Sequence, residues 1–267
     1  MVYFIGAGPG DKELITLKGV RLLSRADCII YTGSLVNPEL LEYAKDGCVF
    51  HNSASMTLEE VTAIMLDNER RNLETARLHT GDPSIYGALK EQIDILKNNG
   101  VAYAVVPGVS SFTGAAAALG AEYTLPGVSQ TVILTRMEGR TPVPERENIA
   151  ELAKIRASMA IFLSGGMLAG LSQKLVEGGY PEDTPAAIVY KATWPDEKIV
   201  RTTVGGLPDA GKNGNISRTA IILIGDFLDG AYERSHLYNP DFTHGYRTGD
   251  SLSSGGSRNT ESNPPYV

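Results

Sequence analysis

Short apolar runs recur along the first half of the chain, at residues 2–5, 28–31, 75–78 and 102–106. Between the first two, Leu14, Leu17, Val20, Leu22 and Leu23 follow helical spacing. Strands alternating with helices predict βαβ units and a mostly parallel sheet. Because the runs are nearly continuous in apolar residues, they predict strands buried on both faces. The second half reads differently. A strand is predicted over 130–135, followed by a polar, Pro-containing stretch at 136–147. Further strands are predicted at 159–163, 187–190 and 220–224, with a helix over about 169–176. Residues 198–204 alternate with period two, which predicts an antiparallel strand with one wet face and hence a mixed sheet.

Pro126-Gly127 interrupts the pattern. The chain is therefore expected to divide into an N-terminal α/β domain over 1–126, a C-terminal α/β domain over 127–231, and an extension over 232–267. From about residue 248 the extension is rich in Ser, Gly and Asn and is expected to be flexible. Two α/β domains meeting at a cleft predict a small-molecule site there.

Composition narrows the function classes. The 267 residues carry 24 Lys plus Arg against 31 Asp plus Glu, a net charge of −7. That balance argues against a nucleic-acid surface, which needs a basic stripe. No apolar run approaches the ~18 residues of a membrane span, and the start has no signal-peptide pattern. Cys28 and Cys48 are the only cysteines, which suits a reduced, cytoplasmic compartment. They have no nearby His pair, so no metal site is expected.

Three loops follow strands and are rich in turn formers. The first, 6–11 (GAGPGD), looks like a dinucleotide fingerprint but ends on Asp11 instead of glycine, and Pro9 removes a backbone N–H. Nicotinamide binding is therefore disfavoured. Asp11 is expected to cap the following turn, and the glycines either shape that turn or let a ligand approach the backbone. The second, 79–86 (HTGDPSIY), places Asp82 where it could meet a ligand ammonium or cap a helix. His79, the one histidine beside a candidate site, is a possible proton carrier, although a lone histidine is more often structural. The third, 106–111 (VPGVSS), runs into an Ala-rich helix at 114–119, whose small residues permit either a flat ligand or close helix–sheet packing. Arg136 and Arg140 flank Gly139 and suit an acidic substrate, or a solvated loop. The only tryptophan, Trp194, beside Lys191, suits a large conjugated ligand or a core position next to a turn.

These blocks, in this order over residues 2–247, resemble the tetrapyrrole methyltransferase family. The resemblance implies two α/β domains with S-adenosylmethionine (SAM) in the cleft between them and S-adenosylhomocysteine as product. Blocks 130–145 (QTVILTRMEGRTPVPE) and 189–204 (VYKATWPDEKIVRTTV), with 236–247 (HLYNPDFTHGYR), point within the family to methylation of precorrin-4, or its cobalt complex, at C11 in cobalamin biosynthesis, giving precorrin-5. Alternatives are a methyltransferase for another ring carbon and a non-catalytic tetrapyrrole carrier. By resemblance, Pro9, Thr80, Gly81, Asp82, Ile85, Ser110, Ser111, Ser164, Ala192 and Ala220 contact SAM, and the protein is a homodimer. The substrate's carboxylates need basic anchors, for which Arg136, Arg140, Lys191 and Arg201 are the candidates. The catalytic residues are left open among Arg136, Arg140 and His79. Gly33, in 31–36 (YTGSLV), stands where related enzymes often carry an Asp.

Overall fold

The computed structural model describes residues 1–249. Elements of the first half are β1 (Val2–Gly6), α1 (Leu17–Leu23), β2 (Cys28–Tyr31), β3 (Val49–Asn52), α2 (Leu58–Arg70), β4 (Thr75–His79), α3 (Leu89–Asn98), β5 (Tyr103–Val106) and α4 (Ser111–Leu119). The five strands form one parallel sheet in the order β3-β2-β4-β1-β5. The four apolar runs become its inner strands and one edge. Alternation along β1 splits its side chains between two layers. Phe4 packs with Cys28, Ile30, Met65 and Leu96, while Ile5 packs with Ile29, Leu78, Leu22 and Leu23. Short, exposed β3 and helices α2 and α3 were not anticipated. A local signal for α2 exists: Thr57 and Glu60 form a reciprocal capping box at its start.

The second half holds β6 (Val132–Arg136), α5 (Ile149–Ala153), β7 (Ser158–Phe162), α6 (Leu168–Glu177), β8 (Pro185–Tyr190), β9 (Lys198–Thr203), α7 (Leu207–Asn213) and β10 (Ala220–Ile224). Its sheet runs β6-β7-β10-β8-β9. It is mixed, as the pattern predicts: β6 and β7 are parallel, and β10 is antiparallel to both β7 and β8. β9 lies antiparallel to β8 at the edge. One face, with Met159, Ile161, Ile188 and Ile222, packs under α5, α6 and α7. The other, with Ala160, Ala187, Val189, Ile221 and Leu223, receives Ala115, Ala116 and Leu119 of α4. The alanines of α4 thus serve close helix–sheet packing across the two halves. The extension returns to the linker, where Glu233 N donates to Pro126 O at 3.0 Å. Farther on, Arg247 Nη2 bonds the carbonyls of Leu237 (2.8 Å) and Asn239 (2.5 Å). The flexible stretch expected from about 248 lies, beyond Gly249, outside the described residues. Among the described residues no helix is long and apolar enough to cross a membrane.

Candidate active site

The C-terminal ends of β1, β4 and β5 bring three loops into one knot. Ala7 N donates to His79 O at 2.8 Å, and Gly81 N donates to Gly8 O at 2.9 Å. Gly108 N donates to Asp82 Oδ2 at 2.8 Å. The packing leaves no room for side chains: a Cβ on Gly108 would lie 2.2 Å from Gly81 O and 2.7 Å from Gly6 Cα. Gly81 also has φ +63°, a conformation that L side chains rarely adopt. This is the end of an open α/β sheet at which ligands bind.

Asp82 locks the knot. Besides Gly108, it accepts from Ser84 N at 2.8 Å through Oδ1. Partial burial alone would raise its pKa, but the hydrogen bonds from Ser84 and Gly108 outweigh that and hold the carboxyl below its usual value. Ser110 is buried and precedes the first residue of α4, Ser111; both border Gly81, so the positive end of the α4 dipole stands at this junction. Thr80 is exposed and Ile85 half-buried in the same loop.

The second half reaches this knot through the 191–197 loop. Trp194 Nε1 donates to Pro9 O at 2.9 Å, and Asp11 N donates to Thr193 Oγ1 at 3.0 Å. From the other side Asn37 Nδ2 donates to Gly10 O at 2.9 Å. Trp194 therefore clamps the first loop from a half-buried position beside the turn, not from the core. Asp11 caps the next turn as expected, accepting from Glu13 N at 2.9 Å. Ala192 is buried in the α4 core, and Ala220 opens β10 opposite Tyr190.

Several expected ligand groups have other work. Ser164 is fully buried; its hydroxyl donates to Phe162 O (2.7 Å) and accepts from Met137 N (2.9 Å). The Arg136 guanidinium staples its own loop, bonding the carbonyls of Met137, Thr141 and Pro142 at 3.2, 3.1 and 2.7 Å. Lys191 is engaged by Asp196 at 2.6 Å and lies over the rings of Tyr190 and Trp194. Arg201 Nη2 donates to Leu119 O at 3.1 Å, at the far end of α4 from the knot, where a cation suits the helix terminus. Arg140 is exposed on its loop. His79 lies inside the fold rather than on the cleft surface. It is buried against Phe4, and burial, aided by the charge of Arg77, pushes its pKa down to about 4.

The sequence reading missed two apolar groups. The Tyr86 ring (φ +52°) meets the Phe162 ring at a tilt of 56°, centroids 5.3 Å apart, across the two halves, and Leu163 (φ +54°), next to Phe162 in sequence, is 68% exposed. A left-handed backbone at exposed apolar residues is a strained arrangement that clusters at functional sites. Its sequence signal is weak, because nothing local distinguishes these side chains from core residues.

Comparison with known proteins agrees with this geometry. Residues 1–208 match the family Tetrapyrrole (Corrin/Porphyrin) Methylases. Cobalt-precorrin-4 C(11)-methyltransferase of Methanocaldococcus jannaschii is 51% identical over 247 residues, 92% of this chain and 95% of that protein. Precorrin-4 C(11)-methyltransferase of Pseudomonas aeruginosa is 45% identical over 250 residues, 93% of this chain and 99% of that protein. The X-ray structure of a cobalt precorrin-4 methyltransferase superposes with a TM-score of 0.84 at 50% identity, covering 85% of this chain and 95% of that one. Uroporphyrin-III C-methyltransferase of Thermus thermophilus, complexed with S-adenosylhomocysteine, superposes with a TM-score of 0.71 at 26% identity, covering 85% of this chain and 98% of that one. The three-loop knot, the two sheets and these likenesses agree: the chain belongs to the tetrapyrrole methylase family.

Proposed function

We propose that this chain transfers the methyl group of SAM to C11 of precorrin-4, giving precorrin-5, in cobalamin biosynthesis. The observation that carries the reading is the glycine knot of Gly6, Gly81 and Gly108, locked by Asp82 and set against the start of α4. It packs three strand-end loops backbone to backbone, with Gly6 and Gly81 buried, and leaves no space for side chains of its own at the ligand-binding end of the sheet. Likeness over nine-tenths of the chain to enzymes named for C11 methylation supports the choice of substrate. Identity is higher to the M. jannaschii protein, named for the cobalt complex, than to the P. aeruginosa one, which favours cobalt-precorrin-4.

SAM, when bound, supplies a methyl group already activated on a sulfonium. The protein's task is then to hold the two partners in line, worth several kcal/mol, roughly 7–11 in well-oriented reactions. Thr80, Gly81, Asp82 and Ile85 are assigned to the methionine part, with Ser110 and Ser111 at the α4 start. Pro9, Ser164, Ala192 and Ala220 are assigned to the adenosine side. Tyr86 and Leu163 offer an apolar wall that keeps water from the reacting carbon. A homodimer in the cytoplasm is the expected setting. To test the function, the protein is incubated with methyl-labelled SAM and precorrin-4. Label in the tetrapyrrole supports methyl transfer, whereas binding without transfer would make the chain a carrier.

A further inference from the structure

Arg77 lies in the middle of β4 and is only 8% exposed. It shares a strand face with Thr75 and His79, opposite Ala76 and Leu78, which join the other layer. Its Nη1 donates to Ser53 Oγ at 2.9 Å, and Ser53 Oγ donates in turn to Tyr31 O at 3.1 Å. Its Nε is sealed from solvent with no partner. No carboxylate acts on it among the described residues; burial alone lowers its pKa, to about 10. The guanidinium is therefore charged at neutral pH and has no counter-ion. Two positions along, His79 is 4% exposed, neutral, and has its Nε2 likewise buried without a partner.

Burying a charge is costly unless it is paired, and a chain under selection for stability alone would pair it or replace it. The charge lies at the ligand-binding end of the sheet: Tyr31 ends β2, and Ser53 opens the turn after β3. Gly33, in the adjoining loop, packs toward Ala54 and Asn52 and brings no carboxylate there. Of the cations expected to meet an acidic substrate, Arg136, Lys191 and Arg201 already have partners.

We infer that Arg77 is a substrate-binding residue that receives one carboxylate side arm of the tetrapyrrole, which supplies the missing counter-charge beside Ser53. The inference rests on the proposed function and extends it to a residue on the strand floor. Arg77→Met tests it, because methionine fills similar space without charge. The expected result is a tetrapyrrole KM raised about tenfold or more, the scale of a lost charged hydrogen bond. The Kd for S-adenosylhomocysteine stays within about twofold, and the melting temperature is unchanged or higher because an unpaired buried charge has gone. Arg77→Lys recovers part of the lost KM. Acetate and chloride alone, as free-anion probes, leave the wild-type melting temperature unchanged. A lower melting temperature for Arg77→Met with an unchanged tetrapyrrole KM would overturn the inference and make Arg77 structural. So would stabilisation of wild type, but not of the variant, by acetate or chloride with an unchanged KM, which would mark a free-anion site. Failure of wild type itself to transfer methyl would instead strike the proposed function, so the two failures are distinguishable.

Discussion

The indole N–H of Trp194 donates to the carbonyl of Pro9 at 2.9 Å, joining loops 185 residues apart. The indole occupies the space a side chain on Gly10 would take, since a Cβ there would lie 2.1 Å from Trp194 Cδ1. One contact therefore fixes how the first strand-end loop sits against the second half. Trp194→Phe keeps a ring and removes the donor, and should cost about 1 kcal/mol. Gly10→Ala forces the ring out and should cost more, about 1–3 kcal/mol. Both should weaken binding of S-adenosylhomocysteine. Trp194 is the only tryptophan, so its emission during denaturant unfolding of Gly10→Ala reads this joint directly.

Asp82→Asn tests the lock on the knot. An amide offers one acceptor oxygen where the carboxylate offers two, and either orientation turns an N–H donor toward Ser84 or Gly108, themselves donors. Stability should fall by about 1–3 kcal/mol. Calorimetric titration should show most of the affinity for S-adenosylhomocysteine lost. Normal binding would remove Asp82 from the cofactor site.

His79 gives the molecule an acid-sensitive point. Its folded pKa of about 4 lies below its ordinary value of 6.5, so the unfolded chain takes up the proton first. Stability from this group is full above pH 6.5 and declines as the pH falls toward 4, by about 3 kcal/mol in all. Urea unfolding of wild type across that range should show the decline, and His79→Gln should flatten it. NMR of the imidazole should find it neutral at pH 5.

The two arginines around Gly139 should behave differently. Arg136→Gln frees the carbonyls of Thr141 and Pro142 and should open the loop to proteolysis. Arg140→Ala, at an exposed position, should leave stability within about 0.5 kcal/mol. If Arg140 anchors a substrate carboxylate, its loss raises the tetrapyrrole KM; unchanged affinity would strike it from the substrate site.

The run at residues 28–31 was legible as a strand because both of its faces are buried and every position is apolar or aromatic; 75–78 is buried on both faces too, but Thr75 and Arg77 interrupt its apolar pattern. Strand β9 was legible because one face stays wet. Exposed β3 has no such pattern, and the helix after it announced itself only through Thr57 and Glu60. The loops with Gly81, Asp82 and Gly108 were legible as a site from turn chemistry at strand ends. The basic anchors were not. Whether an arginine meets a ligand or a backbone carbonyl depends on residues distant in sequence: Arg201 finds Leu119, and Arg77 finds Ser53. Arg77 read as one residue within a strand, and it is singled out by having no acidic neighbour among the described residues.

The central claim is the ring position that receives the methyl group. Cobalt-precorrin-4 and metal-free precorrin-4 are each incubated with the protein and carbon-13-methyl SAM, and the product is examined by NMR. The account predicts a single new labelled methyl bonded to C11, formed faster with the cobalt complex. A labelled methyl on any other ring carbon, or no label in the tetrapyrrole while S-adenosylhomocysteine still binds, would contradict it.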